Sequence, residues 1–112
     1  MDCIFCKIAD GNIPADVVYE DDTVMAFKDL SPQAPVHILI IPRAHILSVA
    51  EINVENSGVV AHIYEVAARL VKENGLKDGF RIVNNAGTDG GQTVMHLHFH
   101  LMGGRTMAWP PG

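Results

Sequence analysis

The stretch "HLHFH", His96 to His100, sets three of the chain's six histidines at alternate positions. In a strand, successive side chains point to opposite faces. His96, His98 and His100 would then share one face and Leu97, Phe99 and Leu101 the other, with the imidazoles roughly 6.6 Å apart along the strand. A helix turns about 200° over two positions and would throw His98 away from its neighbours. Thr93, Val94 and the glycine pairs Gly90, Gly91 and Gly103, Gly104 on either side favour the strand. An ordinary imidazole titrates near ~6.5, so about three quarters of it is neutral at pH 7 and able to attack, accept a proton or bind a metal. Three chemistries fit such a row: histidines packed or displayed on a sheet surface, a His₃ metal site of the zinc type, or covalent catalysis by one imidazole that its neighbours orient.

Two neighbouring motifs bear on the choice. "NAGTDGGQT" carries Gly87, Gly90 and Gly91, which let the backbone approach a ligand and turn amides toward an anion. It has the character of a phosphate cradle, although a flexible hairpin loop would look the same. It is not a P-loop, because the lysine is missing and a strand follows. Cys3 and Cys6 form C-x-x-C, which is half a zinc site or simply two small thiols. With only two cysteines in the chain, reduced thiols or a metal corner are favoured over a disulfide framework.

These residues need elements to position them. After a short opening turn or helix through Ile8, "VVYED" and "TVMAFKD" predict a hairpin that turns at Asp21 and Asp22. "SPQAP" forbids regular pairing, and "VHILIIP" predicts a central strand ended by Pro42. From about Asn56 to Asn74, Val59, Val60, Ile63, Val66, Ala67, Leu70 and Val71 recur at helical spacing, with Asn56 or Ser57 as N-cap and Asn74 and Gly75 as stop. "FRIVNN" and "TVMHLHFHLM" predict the fourth and fifth strands around the loop "AGTDGGQ". The expected fold is α+β, a five-stranded antiparallel sheet with one long helix and a short N-terminal helix, in a single domain over residues 1–112. The long helix should cover one sheet face, leaving the histidine face to solvent or to function. His62, on that helix, reads as an ordinary surface or interface residue.

Composition narrows the partners. The chain has 112 residues, 48% of them hydrophobic, and its mean hydropathy is +0.17, values that suit a globular core. A net charge of −5 leaves no basic patch for a nucleic-acid duplex. No apolar run reaches membrane-spanning length, and "MDCIFCKIADG" lacks a secretory signal's basic and apolar regions. The expected location is therefore the cytoplasm.

"HLHFHLM" fits the His-φ-His-φ-His-φ-φ signature and resembles the histidine triad (HIT) family. Together with "DLSPQAPVHILIIPRAHI", "NNAGTDGGQTVMH" and "GGRTMAWPPG" it is similar to the Hint branch, the purine nucleoside phosphoramidate hydrolases, over almost the whole chain. The resemblance implies that His98 attacks the α-phosphorus of a substrate such as adenosine 5′-phosphoramidate or lysyl-adenylate. A nucleotidyl-histidine forms, and water then releases the nucleotide, with no metal required for catalysis. It places His100 at the phosphate oxygens and lets His96 and His37 support the proton network. Asn85, Gly91 and Thr93 match positions around the phosphate and leaving group, and Asp29 matches the carboxylate that takes the ribose hydroxyls. Ile4, Phe5, Ile8, Phe27 and Leu30 match an apolar slot for the purine. Trp109 matches a tail aromatic that reaches the partner subunit's site. The implied partners are purine nucleotides, AMP and GMP among them, and a second copy of the chain, paired through the long helix and the edge strand into one continuous sheet.

Plainer roles stand beside these. Ile4, Phe5 and Phe27 could be core, Asp29 a turn acid and Trp109 a tail aromatic. Some bacterial relatives complete a structural zinc site from the cysteine pair, which would here use Cys3, Cys6, His45 and His96. A purine-nucleotide-binding module with incidental turnover, and a dinucleoside polyphosphate hydrolase on the same fold, are the rival functions. Against the second, "GGRTMAWPPG" follows the last strand as in the Hint branch.

Overall fold

Apolar runs and prolines set where strands can lie, and the computed structural model, which describes residues 3–112, follows them closely. Helix α1 spans Ile4–Ala9 and strands β1 and β2 span Val17–Glu20 and Val24–Lys28. Strand β3 covers Val36–Pro42, helix α2 Ser57–Glu73, and strands β4 and β5 Phe80–Val83 and Phe99–Gly103. The strands form one antiparallel sheet in the order β1-β2-β3-β5-β4, with the apolar β3 at its centre. No helix among the described residues is long and apolar enough to cross a membrane.

The two faces of the sheet carry two cores. On one, Ile63, Val66, Ala67 and Leu70 of α2 pack onto Val24, Ala26, Ile38, Ile40, Leu97, Phe99 and Leu101, each large side chain contributing about 1.5–3 kcal/mol by leaving water. Sequence periodicity predicts this face. The opposite face is not left to solvent: α1 closes over it, setting Phe5, Ile8 and Ala9 against Met25, Phe27, Leu39 and Ile41. A strand period of two residues then places His37 beside Leu39 and Ile41, and Asp29 in line with Met25 and Phe27, at the rim of this smaller core.

Two strand boundaries differ from expectation, each for a physical reason. The last strand begins at Phe99 rather than Thr93. The β3–β5 register, in which Ile40 faces Phe99, would bring Pro42 opposite Leu97, and proline has no N–H to continue the ladder. Residues 93–98 are held by single bonds instead, among them Leu97 N–H to the Ile46 carbonyl at 2.6 Å. The fourth strand stops at Val83 rather than Asn85, because the Asn84 side chain, at 2.9 Å, takes the His98 carbonyl. Asn56 is the N-cap residue of α2, as expected, but its side chain makes no cap bond. Its amide is used in the preceding turn, where Asn53 N–H donates to Oδ1 at 2.7 Å.

His62 is also more than a surface residue. Its Nε2 lies 2.6 Å from Asp21 Oδ2 and its Nδ1 2.9 Å from Glu65 Oε1, so it clamps α2 to the β1–β2 turn. The hydrogen bond with Asp21 leads in raising the His62 pKa. Burial opposes ionisation of Asp21, but bonds from Tyr19, His62, Thr23 and Val24 outweigh it and hold that carboxyl far below its usual range. Arg43 fastens the same corner to α1, donating to the Asp21 carbonyl at 2.6 Å and the Ala9 carbonyl at 2.7 Å.

Candidate active site

The alternation of "HLHFH" survives although only its last residues are formally strand. Leu97, Phe99 and Leu101 point into the α2 core, and the imidazoles turn to the other side. There they separate into two groups with different partners.

His98 is 5% exposed, with its ring edge-on to Phe5 at a centroid distance of 5.1 Å. Its Nδ1 lies 2.7 Å from the His96 carbonyl oxygen. A carbonyl can only accept, so Nδ1 carries a proton and any lone pair of this ring lies on Nε2. Asn84 grips the His98 carbonyl, so backbone and ring are fixed together.

A chain of neutral donors runs beside it. The Gln33 backbone N–H donates to His37 Nδ1 at 3.0 Å, which forces the His37 proton onto Nε2. That nitrogen lies 2.9 Å from His100 Nδ1 and 3.5 Å from Asp29 Oδ2. With its Nδ1 accepting, His100 carries its proton on Nε2 and can offer it to an anionic oxygen. Burial lowers the His100 pKa to about 4, helped by His98 and His37. Burial lowers that of His37 too, against the pull of Asp29. Both rings therefore stay neutral at pH 7. Asp29 Oδ1 accepts the Ser31 N–H at 2.7 Å, which aims the carboxylate at this rim.

The His96 side chain faces away from this array. It is fully buried, with Nε2 2.8 Å from the Pro42 carbonyl and Nδ1 3.3 Å from Cys3 Sγ and 3.5 Å from Cys6 Sγ. His45 Nδ1 lies 3.3 Å from Cys6 Sγ. The four ligand atoms of Cys3, Cys6, His45 and His96 all lie within 4.8 Å of one another. A tetrahedral zinc with ordinary Zn–S and Zn–N bonds needs S···N separations of roughly 3.5 Å, so the donor set fits that ion. The Nε2 bond to Pro42 is the outer-shell contact that directs the His96 lone pair into the cluster. Burial is the largest cause raising the Cys6 thiol pKa, and the Cys3 thiol adds to it. His96 meets His98 through its carbonyl and through Phe5, whose ring lies 6.0 Å from that of His96.

The remaining expected residues are placed as follows. Gly87 and Gly91 take φ values of +74° and +80°, and a Cβ on Gly90 would fall 2.3 Å from the Ala86 carbonyl, so the loop needs its glycines. Gly91 and Thr93 are exposed and Asn85 half-buried beside Asn84. Phe5, Ile8 and Phe27 are buried together and Ile4 is about half-exposed. Leu30 and Trp109 stand almost wholly in solvent on the single chain, and Arg81 holds the neighbouring Ala108 carbonyl at 3.0 Å. Sequence inspection missed Asn84, the Gln33 amide, the Pro42 carbonyl and Gln92. Only Gln92, a polar residue closing a glycine loop, carried any local signal.

The fold recurs in known proteins. Residues 10–107 match the HIT domain. The chain is 50% identical to an uncharacterised HIT-like protein of Synechococcus elongatus over 99% of its own length and 97% of that protein's. A HIT family hydrolase from Legionella pneumophila superposes with a TM-score of 0.97 at 50% identity, covering 99% of this chain and 100% of that one. A histidine triad protein from Clostridium difficile does so with 0.93 at 50% identity over 96% and 95% of the two chains. With the HIT domain matched over residues 10–107 and a HIT-like relative 50% identical over nearly the whole of both chains, the chain belongs to the HIT domain family.

Proposed function

We propose that this chain hydrolyses the P–N bond of purine nucleoside phosphoramidates through a covalent intermediate on His98. The observation that carries the reading is the 2.7 Å bond from His98 Nδ1 to the His96 carbonyl, which leaves Nε2 as the one nitrogen of that ring free to attack. Nε2 forms a bond to the α-phosphorus, the P–N bond breaks, and the amine leaves protonated. That proton comes from solvent; water then attacks phosphorus, the P–Nε2 bond breaks, and the nucleotide departs as one proton of the attacking water is released to solvent. His100, with its proton on Nε2, donates to a phosphate oxygen as charge builds there. His37 fixes the His100 tautomer from behind, and the glycine loop supplies amides in a chain whose net charge is −5. Asn85, Gly91 and Thr93 belong to the phosphate and leaving-group side.

Phe5, Ile8 and Phe27, with Ile4 at the margin, form the apolar ground for a purine, and Asp29 is the ribose acceptor. Leu30 and Trp109 fit this scheme as residues that meet nucleotide or a second subunit, since both are exposed on one chain. The sheet ends on β4, where Phe80 is half-exposed, so pairing of two β4 edges would give the homodimer. Cys3, Cys6, His45 and His96 would hold zinc in a structural role: the ion would supply cross-linking of α1 to the segment before β5. The proposed place of action is the cytoplasm.

The test is incubation with radiolabelled amine-linked adenylate. Wild-type protein should release AMP and carry transient label on His98, and His98→Ala should do neither. Label on another residue, or equal turnover by the variant, overturns the reading. Tight AMP binding without turnover of any phosphoramidate would select the nucleotide-binding module instead.

A further inference from the structure

We infer that Gln92 is a positioning residue that holds the glycine loop in its phosphate-receiving shape, an inference that rests on this loop being the phosphate seat proposed above. Gln92 is 6% exposed, and every hydrogen-bonding group of its amide is engaged. Oε1 accepts the Gly87 N–H at 3.0 Å, while Nε2 donates to the Leu47 carbonyl at 2.8 Å and the Val94 carbonyl at 3.0 Å. Only this orientation of the amide works, because two partners are acceptors and one is a donor.

The pattern closes the loop at its ends. Gln92 N–H donates to the Gly87 carbonyl while the Gln92 side chain accepts from the Gly87 N–H, so residues 87 and 92 are joined twice. Gly91 N–H returns to the Thr88 carbonyl inside that ring. The two positive-φ glycines and the tight approach of Gly90 to Ala86 make the ring possible, but glycines by themselves permit many shapes. The amide of Gln92 selects one. Its bond to Leu47 also ties the ring to the segment that carries His45, and its bond to Val94 fixes the chain on leaving the loop, next to Thr93. Phosphate recognition by backbone amides depends on their being aimed before the ligand arrives. A side chain that buries itself under the loop and touches no ligand can therefore control affinity for the phosphate alone, leaving the base slot on α1 and β2 untouched.

That selectivity separates positioning from plain stability. Gln92→Glu is nearly isosteric and keeps the acceptor for Gly87, but it has no donors for Leu47 and Val94. Gln92→Met keeps the bulk and removes all three bonds. Binding of AMP and of adenosine to the full-length protein, followed by titration with NMR detection, should show AMP affinity falling about tenfold or more and adenosine affinity changing by less than about twofold. Amide exchange at residues 87–91 should quicken in the same variants. Parallel loss of AMP and adenosine affinity, or no change in either, overturns the inference, and Gln92→Glu gives that answer even where Gln92→Met folds poorly. Wild-type protein that turns over phosphoramidate through His98 while the Gln92 variants keep their preference for AMP would defeat this inference alone. Wild-type protein that binds AMP no better than adenosine would defeat both it and the phosphate seat.

Discussion

One short ribbon feeds two histidine clusters, and they differ in nearly every physical respect. Around His96 the ring is fully buried, its neighbours are thiols, and its lone pair is aimed by the Pro42 carbonyl into a pocket of four soft or borderline donors. Around His98 and His100 the neighbours are imidazole and carboxylate, the outermost ring is partly open, and protons are assigned by backbone groups at His98 and His37 and by the His37 ring at His100. Phe5 stands edge-on to His96 and His98, at 6.0 and 5.1 Å, and keeps the two chemistries apart. The lesson is that a repeated residue type is not a repeated role. What a histidine can do is set by which of its nitrogens a fixed neighbour occupies.

The contrast can be broken most strongly at its two centres. His98→Ala should lower kcat by more than about a thousandfold while leaving the thermal midpoint close to that of wild type, because the ring contributes one bond to a backbone already held by Asn84. Cys3→Ser should do the opposite: a marked fall in the thermal midpoint and in zinc content by elemental analysis, with kcat of the folded fraction within about tenfold of wild type. Should chelation abolish turnover without loss of fold, the division of labour between the clusters is wrong.

A pH series sharpens the comparison at smaller scale. The His100 pKa is depressed to about 4 by burial, so the folded state binds fewer protons than the unfolded chain. Its contribution to stability is intact above the unfolded value near ~6.5 and is lost as pH falls toward 4. Urea unfolding between pH 7 and 4 should therefore show acid weakening that His100→Asn reduces, and an unchanged slope would contradict the burial argument. His62 has the reverse sign. Its pKa is raised by Asp21, so its clamp is complete below ~6.5 and fades as pH rises through the higher folded value. His62→Gln should lower the thermal midpoint by a few degrees at pH 6 and hardly at all at pH 9. This is the smallest effect, since both partners are partly exposed.

Much of the fold was legible because it depends on local pattern. The turn at Asp21 and Asp22, the apolar run of β3, the period of α2 and the facing of Phe99 and Leu101 all follow from side-chain order. The site was legible in its residue types but less so in its boundaries. Nothing near "TVMH" signals that pairing ends at Phe99; the cause is Pro42, far away in the chain and adjacent only after the sheet forms. The smaller core under α1 was legible only as single candidates, Phe5 and Phe27 among them, for a similar reason. Six helical residues are too few to show a period, and their burial depends on Met25, Phe27, Leu39 and Ile41 arriving from two strands.

The sequence by itself determined that three imidazoles alternate with three apolar side chains and that a glycine loop precedes them, since pleating and glycine's freedom act over a few residues. Only the tertiary structure decided what each imidazole is for. The groups that assign their protons, the His37 ring, the Pro42 carbonyl and the thiols of Cys3 and Cys6, are brought beside them by folding, and a hydrogen bond acts over about 3 Å of space regardless of distance along the chain.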